Sequence, residues 1–345
     1  LREVGDLNDT WSSERLGTGP ATLGSYASED ATPIRLRSPF PAVAGGRTMR
    51  TQPTTETVSP ALAGANRVAI VAGSGALPVE VAQTLVRLGH QPFVILLEGE
   101  ARAEDFGGCE TTAMALEEFC DFVAVLRGAG ASHMIFAGGV ARRPALSRMK
   151  WRLGMLRLVP RIAQALSRGD DGLLRAVLDY FEASGFRVLG AHEIVPDLLA
   201  PEQVLTKRSP SKRDERDMAA AFKAAVMIGD LDIGQAAIVV GGRVVALEGI
   251  EGTDGLLERM ASMRDHGRLG GSNGGVLAKC AKPRQEMRAD LPAIGPETVD
   301  GAHAAGLAGI AVEAERTFIL DASAVVQRAD KLGLFVVGRR RGGEG

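Results

Sequence analysis

Histidine, cysteine and aromatic side chains are scarce in this 345-residue chain, with five His, three Cys and only 4% Phe, Trp and Tyr together. Cys109, Cys120, Cys280 and the histidines are scattered without metal-ligand spacing, which excludes a structural zinc site or a disulfide framework. So few rings leave no base-stacking platform. The 40 Lys+Arg nearly cancel 42 Asp+Glu, giving a net charge of −2, unlike the basic footprint of a nucleic-acid binder. No nucleic-acid partner is therefore expected. No apolar run approaches the ~18 residues of a membrane span. Lysine is also rare, seven against 33 Arg, a compositional bias that makes Lys279 and Lys282 less accidental.

What is present is 45% apolar and 24% charged residues, ordinary for a cytosolic globular protein. At ~150 residues per domain, the length suggests two domains. Chemistry must then come from Asp, Glu, Arg, Lys and the backbone.

Residues 1–66 are rich in Ser, Thr, Pro, Gly and Ala and show no sustained period, so a disordered N-terminal extension is expected. It lacks the apolar core of a secretory signal. Glu3, Asp6, Asp9, Glu14, Glu29 and Asp30 speak against an Arg-bearing targeting peptide. Translation is expected to start at Met49.

Residues 67–197 read as the first domain. The apolar run 68–71 ends at Gly73-Ser74-Gly75-Ala76-Leu77-Pro78, the pattern of a buried parallel strand and a Gly-rich turn into a helix. Further strands are expected at 93–97, 134–137 and 186–189. Leu116, Phe119, Cys120 and Val123 predict an intervening helix, and Asp170-Asp171 open another with Leu174, Val177, Leu178 and Phe181 inside. Alternating strands and helices predict a parallel, Rossmann-like sheet.

Gly73, Ser74, Gly75, Ala76 and Leu77 fit either a phosphate contact at a helix N-terminus or a tight turn. A dinucleotide pattern wants a third Gly where Pro78 stands, so an NAD(P)-dependent oxidoreductase is carried only as an alternative. Gly138-Gly139 forms a second such turn. Residues 122–169 hold nine Arg or Lys and no acid, interleaved with Trp151, Leu153, Met155, Leu156 and Ile162. That mixture suits an anionic amphiphile or a membrane surface, or else a solvated helix face. Asp170 and Asp171 follow it, one as a cap and the second as a candidate site residue.

A linker, 198–214, leads to a second α/β domain, 215–340. Strands at 236–240 and 244–247 joined by Gly241-Gly242 predict a two-residue hairpin. Then come Glu248, Glu251 and Asp254 among glycines, an acidic edge suited to Mg²⁺, with Thr253 or Asp254 capping a helix over 255–263 as the plainer reading. Strands are also expected at 274–280, 309–312, 317–320 and 334–337. Lys279, Lys282, Gln285, Arg288 and Asp290 crowd into twelve residues and end in Leu291-Pro292-Ala293-Ile294-Gly295-Pro296. Two Lys and one Arg can clamp a pyrophosphate, while a carboxylate among them holds a cation or orients water.

Five stretches in order resemble the LpxI-type UDP-2,3-diacylglucosamine pyrophosphatases of lipid A biosynthesis. They are Gly73-Ser74-Gly75-Ala76-Leu77-Pro78, Gly169-Asp170-Asp171-Gly172-Leu173-Leu174, Asp232-Ile233-Gly234-Gln235, Glu251-Gly252-Thr253-Asp254 and Asp290-Leu291-Pro292-Ala293-Ile294-Gly295. The resemblance implies two α/β domains with the substrate held between them and Mg²⁺ as cofactor. It implies hydrolysis of UDP-2,3-diacylglucosamine to UMP and 2,3-diacylglucosamine 1-phosphate. Asp290 corresponds to the family's essential aspartate and is expected to be catalytic; Glu251 and Asp254 are expected as further metal ligands. Substrate-binding residues are expected at Gly73 to Leu77, Gly138, Gly139, Asp170, Asp171, Thr253, Lys279, Lys282, Gln285 and Arg288. One departure is visible, Glu286 where the motif is expected to carry Asp. The substrate implies a cytoplasmic enzyme in transient contact with the inner membrane of a Gram-negative bacterium. A homodimer is expected on general symmetry grounds. Two alternatives remain, the oxidoreductase above and a non-enzymatic carrier of an anionic lipid.

Overall fold

The computed structural model describes residues 60–140, 170–267, 269 and 274–341. The expectations for residues 1–59, including a start at Met49, and for the basic segment within 141–169 lie outside the described residues. A 3₁₀ turn, Pro60–Leu62, buries Ala61 and Leu62 in the first core. The expected disordered extension therefore does not include residues 60–66. Leu62 has no local apolar period, and its partners come only from tertiary packing.

The first sheet comprises β1 (Val68–Ala72), β2 (Phe93–Leu97), β3 (Glu110–Met114), β4 (His133–Ala137) and β5 (Arg187–Leu189). All pairings are parallel, in the order β3-β2-β1-β4-β5. Every residue of β1 and β2 is buried, as befits strands covered on both faces. One face carries α1 (Leu77–Arg87), with Val81, Ala82 and Leu85 inward. The other carries α2 (Phe119–Gly128) and α3 (Asp170–Ala183). Much of the chain's small aromatic complement gathers there: Phe119, Phe122, Phe136, Tyr180, Phe181 and Phe186 are in mutual ring contact.

β3 has no counterpart in the sequence reading. It is an edge strand whose Glu110 and Ala113 are exposed, so it lacks the continuous apolar run that marks its neighbours. The helix read from Leu116 begins at Phe119, because Leu116–Glu118 forms a 3₁₀ turn.

The second sheet is mixed: β6 (Ala236–Val240), β7 (Arg243–Leu247), β8 (Val276–Lys279), β10 (Gly309–Glu313) and β12 (Phe335–Arg339), ordered β12-β10-β8-β6-β7. β8, β10 and β12 are parallel, and β6 is antiparallel to both its neighbours. The hairpin turn has Gly241 at φ 60 and Gly242 at φ 78, a primed turn that glycine permits. Both N–H groups donate to the Asp217 carboxylate, at 2.9 and 2.5 Å. Asp217 projects from α4 (Lys212–Asp230), whose Met218, Ala221 and Ala225 cover one face of the sheet. α5 (Gly252–Asp265), α6 (Pro296–Ala304) and α7 (Ala322–Leu332) cover the other.

Residues 198–214, read as a linker, are pinned down. Ala200 and Leu205 are buried in the second core, Leu199 bridges to Phe318, and α4 already starts at Lys212. A ribbon of β9 (Ala293–Ile294) and β11 (Phe318–Ile319) binds the two cores together. Successive strand residues point to opposite faces. Phe318 enters the first core with Ala293 against it, while Ile294 and Ile319 enter the second.

Candidate active site

In the first sheet the strand order reverses between β1 and β4, the switch point at which open α/β sheets receive ligands. The two Gly-rich turns meet there. Ser74 N–H donates to Gly139 O at 2.7 Å, Gly139 N–H returns to Ser74 O at 2.9 Å, and the Ser74 hydroxyl also donates to Gly139 O. A Cβ on Gly73 would lie 2.2 Å from Gly139 O, and one on Gly138 would lie 2.5 Å from Ser74 O. Mutual approach of the two turns therefore accounts for Gly73 and Gly138 without a dinucleotide. Gly75 and Ala76 are exposed, and Ala76 gives the start of α1 no side-chain cap, so this end of the helix faces outward. Asp170 opens α3 as expected; the Asp170 and Asp171 side chains are outside the described structure.

In the second sheet the C-terminal end of β8 lies beside the start of β6 and the end of β7, because β6 runs antiparallel to both. This edge gathers Lys279, Glu248, Gln235 and the loop after Lys279. Lys279 is only 8% exposed, and its Nζ donates to Ala293 O at 2.8 Å. Burial pulls its pKa below the usual lysine range, against the carboxylates of Glu248, Asp254 and Asp290, which favour the ammonium. Lys279 is thus a buried tie to the loop at Ala293 more than an exposed phosphate clamp.

Glu248 is buried, accepting from Gln235 N–H and from the Thr253 hydroxyl, both at 2.7 Å. Thr253 was expected to cap the helix or meet substrate. Instead α5 begins at Gly252 without a side-chain cap, and the Thr253 hydroxyl serves Glu248. Glu251, expected beside Asp254, pairs with Arg259 at 2.6 Å and folds over Gly249.

The loop from Lys282 to Pro292 is internally wired. Gln285 is buried; its Oε1 accepts from Lys282 N–H at 2.8 Å and its Nε2 donates to Asp290 Oδ2 at 2.6 Å. Lys282 Nζ donates to Asp232 Oδ1 at 2.5 Å. Arg288 grips Glu286 through two hydrogen bonds, at 2.9 and 3.1 Å, and reaches Glu182 of α3 at 2.6 Å. The paired charges hold the Glu286 carboxyl below its usual range and raise the Arg288 guanidinium further. Arg288 is thereby a tie to the first domain, with Arg175 adding a longer contact to Glu286 at 3.9 Å. The loop also abuts the end of β5, since a Cβ on Gly190 would meet Arg288 Cα at 3.2 Å.

Among the described residues no group of three or more His, Cys, Asp or Glu converges as a metal cage. The structure links Asp290 to Gln285 and through it to Lys282, ties Lys279 to the same loop at Ala293, and draws Glu251 and Arg288 into other pairs. Asp232 and Glu182 are not among the residues the sequence assigns to the site, and Glu248 appears there only as part of the acidic edge. Glu248 was visible as one of three acids after β7, but its inward direction depends on the hairpin.

Sheet order, switch point and the mixed second sheet define a two-domain α/β protein with a Rossmann-like first half. The LpxI N-terminal domain family matches residues 67–198, and the LpxI C-terminal domain family matches residues 201–337. A Caulobacter vibrioides protein named UDP-2,3-diacylglucosamine pyrophosphatase LpxI is 41% identical over 280 residues, 79% of this chain and 97% of that one. The chain belongs to the LpxI family. Solved structures overlap it loosely. A Thermotoga maritima UDP-glucose 4-epimerase with UDP-glucose is 13% identical, covering 33% of this chain and 34% of that one, with a TM-score of 0.21. A CobK precorrin-6A reductase is 14% identical, covering 80% and 87%, with a TM-score of 0.29.

Proposed function

We propose that this protein hydrolyses the pyrophosphate of UDP-2,3-diacylglucosamine, releasing UMP and 2,3-diacylglucosamine 1-phosphate, with Mg²⁺ as cofactor. The observation that carries the reading is Asp290, one oxygen held by Gln285, in a loop that Lys279 anchors at Ala293 beside the edge of the second sheet. The name of the Caulobacter vibrioides relative supports the substrate.

Pyrophosphate hydrolysis needs charge neutralisation and a placed water more than covalent chemistry. With Oδ2 fixed by Gln285, Asp290 presents Oδ1 to orient the attacking water and take its proton. Lys279 offsets the charge of the surrounding acids and anchors the loop through Ala293. Mg²⁺ commonly takes one or two carboxylates plus substrate phosphate oxygens, so Asp290 and Asp254 would hold it and no cage of three acids is needed. When bound, it neutralises the phosphate oxygens. The nucleotide half belongs at the switch-point turns, Gly73 to Leu77 and Gly138-Gly139, with Asp170 and Asp171 as further candidate contacts.

No described helix is long and apolar enough to cross a membrane. A cytoplasmic enzyme in transient contact with the inner-membrane surface suits a substrate that joins a nucleotide to two acyl chains.

The test is UMP release from UDP-2,3-diacylglucosamine with Mg²⁺ and again with excess EDTA. Turnover abolished by EDTA and restored by Mg²⁺ is expected. Full turnover in EDTA would remove the metal assignment, and binding without UMP release would leave a lipid carrier in place of a hydrolase.

A further inference from the structure

The Asp232-Ile233-Gly234-Gln235 stretch has no place in the site expected from the sequence, yet it is wedged against the acidic edge. A Cβ on Gly234 would meet Glu248 O at 2.4 Å, and Gln235 O accepts Cys280 N–H at 3.0 Å. Asp232 sits at φ 55, the left-handed region that glycine occupies without steric cost. The chain carries a carboxylate there, and that carboxylate holds Lys282 at 2.5 Å with the two side chains 22% and 13% exposed. From Lys282 the connection continues: its backbone N–H holds Gln285 Oε1, and Gln285 Nε2 holds Asp290 Oδ2. The loop also packs on the turn itself, since a Cβ on Gly229 would meet Lys282 Cα and Pro283 Cδ, each at 3.3 Å.

We propose that Asp232 is a positioning residue for Asp290, acting through Lys282 and Gln285, and not a substrate contact. The proposal rests on the pyrophosphatase reading. Removing the carboxylate weakens the hold on Lys282, loosens Gln285 and with it the orientation of Asp290. Errors of this size in a reacting group lower turnover while leaving substrate affinity largely intact.

The experiment compares wild type, Asp232→Asn, Asp232→Gly, Lys282→Met and the Asp232→Asn/Lys282→Met double variant in UMP release. Both Asp232 variants are expected to lose about tenfold or more in kcat with KM within about twofold, the pattern of lost transition-state alignment. The double variant is expected to be no worse than the poorer single variant, because the two residues act as one unit. Retained kcat in Asp232→Asn, or a raised KM with kcat intact, overturns the proposal. Should Asp232→Gly fail to fold, Asp232→Asn decides alone, since Asn tolerates the left-handed region. Should wild type release no UMP, the pyrophosphatase reading fails separately. Hydrogen exchange over residues 282–290 then reads the same connection without turnover: faster exchange in Asp232→Asn supports it, and unchanged exchange overturns it.

Discussion

Gln285 donates its amide N–H to Asp290 Oδ2 at 2.6 Å from a side chain that is 7% exposed. A buried amide with one hydrogen bond to a carboxylate and another from Lys282 N–H cannot turn without losing both. Gln285→Ala is therefore expected to free Asp290 and lower kcat by about tenfold to a hundredfold, the equivalent of a hydrogen bond to a charged group at ~1.5–3 kcal/mol. Steady-state kinetics check this. A change confined to KM would instead make Gln285 the substrate contact that the sequence suggests.

The crossing of the two Gly-rich turns sets a graded steric test. Gly73→Ala and Gly138→Ala force a Cβ onto backbone oxygen, and Gly138 also has φ 89. Each is expected to cost more than about 3 kcal/mol, enough to deplete soluble protein. Gly75→Ala at φ 93 meets open space and is expected to cost only about 1–2 kcal/mol. Urea denaturation, or soluble yield where folding is lost, ranks the three.

Arg288 distinguishes a tie between domains from a phosphate clamp. Its bond to Glu182 is half-exposed, 31% and 40%, so Glu182→Gln is expected to cost less than about 1 kcal/mol. Arg288→Ala strands Glu286, 14% exposed, and is expected to cost about 1–3 kcal/mol. Chemical denaturation of both variants checks the order. A large KM increase in Arg288→Ala with unchanged stability would return it to the substrate site.

His133 gives the stability a pH dependence. Buried at the foot of β4, it contacts Ser132 Oγ through Nδ1, and its Nε2 has no partner among the described residues. Burial first, then Arg187, lowers its pKa below 6.5. The unfolded chain therefore takes up a proton that the folded one resists, and stability falls as pH drops below 6.5 towards the lowered folded value. Urea midpoints between pH 7.5 and pH 5 are expected to fall less steeply in His133→Gln than in wild type. Parallel curves would contradict this.

How much was legible in the sequence follows from how local each cause is. β1 and β2 are unbroken apolar runs between turns, and Gly241-Gly242 signals its hairpin through backbone freedom, so these were readable. β3 was not, because an edge strand with exposed Glu110 and Ala113 carries no apolar run. Asp290 and Gln285 were found by crowding of charge near Lys279, but their mutual bond needs the loop's conformation. Glu248 and Thr253 meet only because β7 runs into α5, and Arg288 meets Glu182 only because the two domains pack. Asp232 stands out in the sequence only within a stretch that carries the family resemblance, and its hold on Lys282 is invisible until the left-handed turn is known.

The most direct measurement is UMP release from UDP-2,3-diacylglucosamine by Asp290→Asn against wild type, with circular dichroism and thermal melts confirming that both fold alike. Asn keeps the shape and an oxygen that Gln285 Nε2 can still reach, but removes the charge that orients water and accepts its proton. A loss of about a hundredfold or more in kcat, at unchanged fold, is expected for a general base. Wild-type turnover by Asp290→Asn would contradict the assignment of this carboxylate as the residue that drives hydrolysis.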